Sequence, residues 1–486
     1  MPPQGAADRQ ATYAFDFLDA SPYRTDNGHV THYTTHDDGA GGGPGGSTRG
    51  GDLFIHGGSV MLPNTDMPVQ TDILIRGGTI VAIGEDLSNR CDTSGTDVID
   101  AAGLLVLPGG VDPHVHFDEP GFTDREDFYH GTSAAASGGI TTIVDMPCTS
   151  IPPVTSLANF KTKYEVVRKR AVIDFGLYGG VADESFSEGF PRGMDELAPY
   201  VLGFKTYFIS VMDLFHHVNH YQFRKVLEEG RRLGRPILLH AEDLQVSQAA
   251  TAAAQEAGDT VRDFVDGRPE DAEILAILNA AELARRARSD LHIVHVSTAR
   301  GAEIVAGNPF VTGETCPHYL AFDLEDFEKI GSAAKVTPPI KAEPNRTALW
   351  NAIIDGDLAY VASDHAPAPT AQKNTGSIWT DYAGIPGSGT LLPFLYSEGY
   401  RAGRISLRRL VEITSSAAAA RWGIDDRKGA LLPGRDGDCV LIDPTGNWTV
   451  RGEEFLSKGT VTPFEGRTFL GRITRTVVRG TVVYAD

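Results

Sequence analysis

The chain has 486 residues, 41% hydrophobic and 22% charged, and a formal net charge of −21. That length holds one large barrel plus an accessory unit, and the composition is that of a globular protein. The negative charge repels phosphate backbones and anionic lipid, and no apolar run approaches the roughly 20 residues that span a bilayer, so nucleic acid and membrane are excluded as partners. At the amino terminus there is no basic start followed by an apolar stretch, which leads us to expect a cytoplasmic protein. Residues 1–50 are poor in aliphatics and close on "DDGAGGGPGGSTRGG", the composition of a disordered extension. From Gly51 to Pro108, "DLFIHGGSVML", "DILIRGGTIVAIG" and "TDVIDAAGLLVLPGG" predict short strands broken by glycine, the first part of a β-sandwich domain. Residues 109–425 alternate apolar runs ("ITTIVDMP", "VLGFKTYF", "RPILLHAE", "LHIVHVST", "LAYVASDHAP") with helical stretches such as "PEDAEILAILNAAELARRA" and "SLRRLVEITSSAAAARWG". This alternation predicts an α/β fold, a TIM-like (β/α)8 barrel. Residues 426–486 return to β texture and complete the sandwich, so both chain ends build one domain around the barrel.

The run "GGVDPHVHFDEPG" places His114 and His116 on one face of a strand, where two imidazoles can chelate one ion. An HxH pair is weak evidence alone, since histidines also serve as ordinary core residues. Lys205, His240, His295 and Asp364 each stand at the carboxyl end of a β-rich run, where barrel enzymes carry their chemistry. At roughly 30 residues per βα unit, these positions fall on the first, fourth, fifth, sixth and eighth strands and can meet in one mouth. His292, three residues before His295, faces the other way. "FHHVNH" (His216, His217, His220) reads as a solvated helix start or a lid. The cysteines Cys91, Cys148, Cys316 and Cys439 form no CxxC pair and are expected as small buried residues.

"VDPHVHFDEPG", "GGITTIVDMP", "GFKTYF", "LHAED", "HVSTARG", "ETCPHYL", "VTPPIK" and "SDHAP", in that order, resemble the cyclic amidohydrolases, the group of dihydroorotase, allantoinase, hydantoinase and dihydropyrimidinase. The resemblance runs from about Gly51 to Asp486. It implies hydrolysis of a C–N bond in a ureide- or hydantoin-type ring by two divalent metal ions. His114, His116 and Asp364 would hold one ion, His240 and His295 the other, and an N6-carboxylated Lys205 would bridge them. The donors suit zinc, with manganese, cobalt or iron as alternatives. Asp364 would also act as the catalytic proton carrier, and His318 would stand behind the ligands. Dihydroorotase members carry Arg where this chain has Asp118 and Asn where it has Cys148, and a carboxylate at Asp118 would repel dihydroorotate. Hydantoinases and dihydropyrimidinases carry Tyr where Ser210 stands, five residues after Lys205. The carboxyl-terminal "PFEGRTFLGRITRTVVRGTVVY" is closest to the allantoinase pattern. Allantoin is therefore the first expected substrate, with the hydantoinase or dihydropyrimidinase reaction as the alternative and dihydroorotase or a non-catalytic paralogue below both. Thr337, Ser210, Gly387 and Gly389 are substrate-side candidates, and the family's assemblies imply a homo-oligomer, commonly a tetramer, whose only other partner is a small cyclic amide.

Overall fold

The computed structural model describes residues 51–90 and 95–486; the expected extension over residues 1–50 and Cys91 lie outside the described residues. Strands β1 (Leu53–Val60), β2 (Val69–Arg76), β3 (Thr79–Gly84), β4 (Asp97–Asp100) and β5 (Leu105–Pro108) precede the barrel. The barrel strands are β6 (Gly110–Val115), β7 (Ile140–Asp145), β8 (Asp174–Leu177), β9 (Gly179–Gly180), β10 (Phe204–Tyr207), β11 (Ile237–His240), β12 (Leu291–Ile293), β13 (Val311–Thr315) and β14 (Tyr360–Val361). Only Tyr178 separates β8 from β9, so the two form one interrupted strand and the ring has the eight staves of a TIM-like barrel. All neighbours pair in parallel, from β6 through β8 and from β9 through β14. A parallel bridge from Val115 to His365 brings the last stave beside the first. Every residue of β6, β7, β10, β11 and β12 is buried, as strands covered on both faces must be.

The outer helices start and stop where their sequences direct. Helix His220–Leu233 is capped by Asn219, which accepts from the Tyr221 and Gln222 amides and is answered by the Gln222 side chain. It ends at Gly234, whose φ of 63° suits glycine. Helix Glu270–Ala287 opens on Glu270, Asp271 and Glu273 and closes on Arg285 and Arg286, charges that complement its dipole. The stretch predicted as one helix in "SLRRLVEITSSAAAARWG" is helical but widens to a π turn over Glu412–Ser416. There the Ser415 hydroxyl donates to the Gly109 carbonyl at 2.6 Å, which draws the helix onto the start of β6.

β15 (Cys439–Thr449), β16 (Thr468–Val478) and β17 (Thr481–Ala485) return to the first sheet, whose order is β17-β16-β15-β5-β1-β2-β3, with β4 paired to β1. The antiparallel pairing of β5 with β15 joins strands from before and after the barrel into one β-sandwich. Its core is Leu53, Ile55, Ile73, Ile75, Val106, Leu441 and Val477, all buried. No helix of the described residues is long and apolar enough to cross a membrane.

Candidate active site

The carboxyl ends of the barrel strands bring the sequence-predicted side chains around one mouth. His114 lies on β6 and His116 just beyond it; their ring centroids are 5.4 Å apart. Both Nε2 atoms face one oxygen of Asp364, at 3.2 Å from His114 and 3.4 Å from His116. Across the mouth, Nδ1 of His240, the last residue of β11, lies 2.9 Å from Nε2 of His295. The His295 ring is 5.5 Å from that of His114, which connects the two halves. Lys205 on β10 is fully buried, its Nζ 5.0 Å from the centroid of Tyr207, and Tyr207 stacks on His240. Donor atoms of His114, His295 and Asp364 all lie within 4.8 Å of one another, a spacing that could hold a metal ion. Among the described residues, Lys205 Nζ and His295 Nδ1 have no hydrogen-bond partner, so the cluster offers buried polar atoms that the described fold does not use.

Three of the site's residues carry backbone strain. Asp118, His295 and Asp364 have φ values of 56°, 41° and 50°, a conformation costing about 1–3 kcal/mol for a residue with a side chain. Charge is set by the same enclosure. Burial lowers the Lys205 ammonium to about 8. Burial also opposes charge on Asp364, but the neighbouring His114 and the hydrogen bond from His116 outweigh it and hold the carboxyl below its ordinary range. His116, in turn, is raised to about 10 against its own desolvation by Asp364 and Cys148. Burial, reinforced by His240 and Lys205, keeps His295 neutral and available as a donor.

Glu314 is a member of the buried cluster that the sequence pattern does not mark. It is buried on β13, pairs with His114 Nδ1 and lies 3.2 Å from His292 Nε2. A carboxylate behind a ligating histidine fixes its ring and tautomer. The available signal was an acidic residue inside an otherwise uncharged strand, "VTGET". Glu242 plays the equivalent part at His240 Nε2, 2.8 Å away, and is itself clasped by Arg268. His292 faces away from the mouth toward Thr312, Glu314 and Tyr360. His318 is buried, neither ring nitrogen has a hydrogen-bond partner among the described residues, and burial lowers it to about 4. In "FHHVNH", His220 begins the helix His220–Leu233 and His216 pairs at the surface with Glu184.

The substrate-side candidates are dispersed. The Ser210 hydroxyl closes a turn by donating to Phe215 O and accepting from Met212 N. Thr337 is half-buried, and among the described residues no hydrogen bond ties it to the cluster. The Gly387 amide points to His365 Nδ1, and a Cβ at Gly387 would collide with the Ser363 carbonyl. A Cβ at Gly389 would stand 3.2 Å from the Ala134 carbonyl. Asp118 requires a correction to the argument from charge. It is fully buried, and burial raises its carboxyl to about 8, so near neutrality it is mostly an uncharged acid and its repulsion of a substrate carboxylate is weak. What stands against dihydroorotate is the missing arginine. Two further groupings of acidic residues are already filled: Asp174, Asp436 and Asp438 surround the Lys428 ammonium, while Asp127 and Glu126 take Lys458 and His365.

Comparison with known proteins agrees with this geometry. Residues 105–483 match the model of the amidohydrolase family. An allantoinase of Rubrobacter xylanophilus is 39% identical over 441 residues, 89% of this chain and 94% of that protein. Among solved structures, the L-hydantoinase (dihydropyrimidinase) of Arthrobacter aurescens superposes with a TM-score of 0.83 at 31% identity, covering 89% of this chain and 96% of that one. The dihydropyrimidinase of Brevibacillus agri gives 0.81 at 32% identity, covering 90% and 95%. With the barrel, the sandwich and the buried His/Asp cluster in place, the chain belongs to the amidohydrolase family and is one of its cyclic amidohydrolases, enzymes that hydrolyse a C–N bond of a cyclic amide.

Proposed function

We propose that the ring opened is of hydantoin type, five-membered or its six-membered dihydropyrimidine counterpart. The observation that carries this reading is the likeness to hydantoinase and dihydropyrimidinase structures across about nine-tenths of the chain. Allantoin, a hydantoin bearing a 5-ureido group, is the second reading. It is supported by the allantoinase relative and by the buried polar side chains of Asp118 and His318, which could serve a ureido tail. In either case His114, His116 and Asp364 would hold one divalent ion, His240 and His295 a second, and a carboxylated Lys205 both; four imidazoles with oxygen donors suit zinc. Such ions acidify water and polarise a ring carbonyl. The protein's own part starts at Lys205 Nζ: at about 8, roughly 10% of the amine is neutral at pH 7 and open to CO2, against roughly 0.03% for an ordinary lysine. Asp364, oriented by the two imidazoles against its oxygen, takes the proton of the attacking water and delivers it to the departing ring nitrogen. Glu314 and Glu242 keep His114 and His240 turned toward the mouth. A cytoplasmic homo-oligomer, with four copies as in the family, is part of the same proposal.

A hydrolysis panel tests the substrate: hydantoin, 5-monosubstituted hydantoins, dihydrouracil, allantoin and dihydroorotate, with enzyme reconstituted in zinc and bicarbonate. Hydantoins or dihydrouracil should lead in kcat/KM, with dihydroorotate at least about 100-fold behind. Allantoin preferred over hydantoin by more than about tenfold would promote the second reading. Dihydroorotate as the fastest substrate would overturn both.

A further inference from the structure

Asp364, with a φ of 50°, is followed by a residue anchored through both its carbonyl and its ring. His365 is fully buried, and its carbonyl accepts the His116 amide at 2.7 Å, so the backbone just beyond the aspartate is tied to the strand end that carries a histidine of the cluster. The ring of His365 is fixed at both nitrogens. Nδ1 lies 3.2 Å from the amides of Gly387 and Ser388, which can only donate, so Nδ1 carries the lone pair. Nε2 therefore carries the proton and donates it to Glu126 Oε2 at 3.1 Å. That oxygen also accepts from the Ser457 hydroxyl at 2.5 Å. Ser457 lies in the segment between β15 and β16, far along the chain from the barrel strands, yet this segment is seated against the Asp364 turn. A Cβ on Gly459 would stand 2.4 Å from Pro367 Cβ, and Lys458 Nζ reaches Asp127 at 2.7 Å. A fully buried carboxylate is a costly way to hold a fold that an apolar contact could hold more cheaply. What it gives here is direction: a chain of hydrogen bonds with only one arrangement of donors and acceptors, ending at the turn that presents Asp364.

We propose that Ser457 is a positioning residue for Asp364, acting through Glu126 and His365, so that the segment between β15 and β16 completes the active site. This rests on the reading of Asp364 as the proton carrier. Displacing a proton carrier by a fraction of an ångström lowers turnover while leaving ground-state binding nearly intact. In metal-reconstituted enzyme, Ser457→Ala should lower kcat about tenfold with KM within about twofold and metal content unchanged. Glu126→Gln, which keeps an acceptor for His365, should lose less than Glu126→Ala; should Glu126→Ala not fold, Ser457→Ala and Glu126→Gln carry the test. In an Asp364→Asn background, Ser457→Ala should cost little more, because it acts through the group already removed. Wild-type kcat in folded, metal-loaded Ser457→Ala and Glu126→Gln would overturn the proposal. So would a loss that tracks lost metal, or a full tenfold loss repeated in the Asp364→Asn background. Asp364→Asn alone keeping wild-type kcat would instead overturn the proton-carrier reading, so the two failures are distinct.

Discussion

Glu314 sits between His114 and His292, and its carboxyl is held well below the usual range against its own burial by the His114 imidazole and by hydrogen bonds from both rings. Removing it leaves the buried His114 ring without its carboxylate partner at Nδ1, while His292 keeps Thr312 and Tyr360. Glu314→Ala should weaken metal binding about 10–100-fold, read by competition with a chelator, while Glu314→Gln should retain part of the affinity because one acceptor remains. Lys205 yields a pH dependence. Carboxylation needs the neutral amine, and its folded value of about 8 means that, with metal present and dissolved CO2 held constant, activation should accelerate as pH rises and level off above about 8. At constant dissolved CO2, an activation rate that does not change between pH 6.5 and 9 would show that proton loss from Nζ is not involved. For Asp364→Asn, size and one oxygen are kept but the proposed base is gone, so kcat of metal-reconstituted enzyme should fall at least about 100-fold while much of the added metal remains.

At the scale of elements, the site depends on helices that never touch it. Helix His220–Leu233 presses onto β11 through Gly230, where a Cβ would lie 2.6 Å from Ile237 Cδ1, three residues before His240. Gly230→Ala should therefore cost about 1–3 kcal/mol by overpacking, measured by denaturant unfolding, and should lower activity through the displaced strand end. At the other end of the same helix, Asn219→Ala removes a cap and should cost about 1 kcal/mol with turnover unchanged. The contrast separates packing against a catalytic strand from helix stability alone.

Across the whole molecule, barrel and sandwich are locked by one buried ammonium. Lys428 Nζ bonds Asp174 on β8 and lies 2.7 Å from Asp438 and 2.8 Å from Asp436, which precede β15, while Arg479 reaches Asp174 at 3.1 Å. Burial opposes charge on Lys428, but the three carboxylates outweigh it and raise the group above its ordinary 10.5. A raised lysine contributes fully below its unfolded value, so this interlock should be constant through neutral pH and fail only as pH rises above about 10.5. Asp436 is lowered despite its burial by the same ammonium, so its share is present above about 3.8 and lost in acid. Lys428→Met should destabilise by about 3–5 kcal/mol, because three carboxylates lose their shared cation.

The sequence by itself marked the candidate positions that the fold gathers at one mouth. His114 and His116 share a face because a strand repeats every two residues, and Lys205, His240, His295 and Asp364 mark strand ends because apolar runs stop there. It also set the barrel and the β texture of both flanks, since two-sided burial requires continuous apolar strands and the sandwich requires short ones broken by glycine. Sequence periodicity carries no information about which polar groups meet across separate strands, so Glu314 behind His114, Glu242 behind His240 and the Ser457–Glu126–His365 chain emerged only from the folded molecule. Nor could it set protonation. Asp118 reads as a negative charge in the sequence, yet burial raises it to about 8, and Lys205 reads as an ordinary cation, yet burial brings it down to about 8. Local pattern fixes which way a side chain points along its own strand; only tertiary structure, by removing water and bringing distant carboxylates to imidazoles, decides what that side chain is bonded to and whether it is charged.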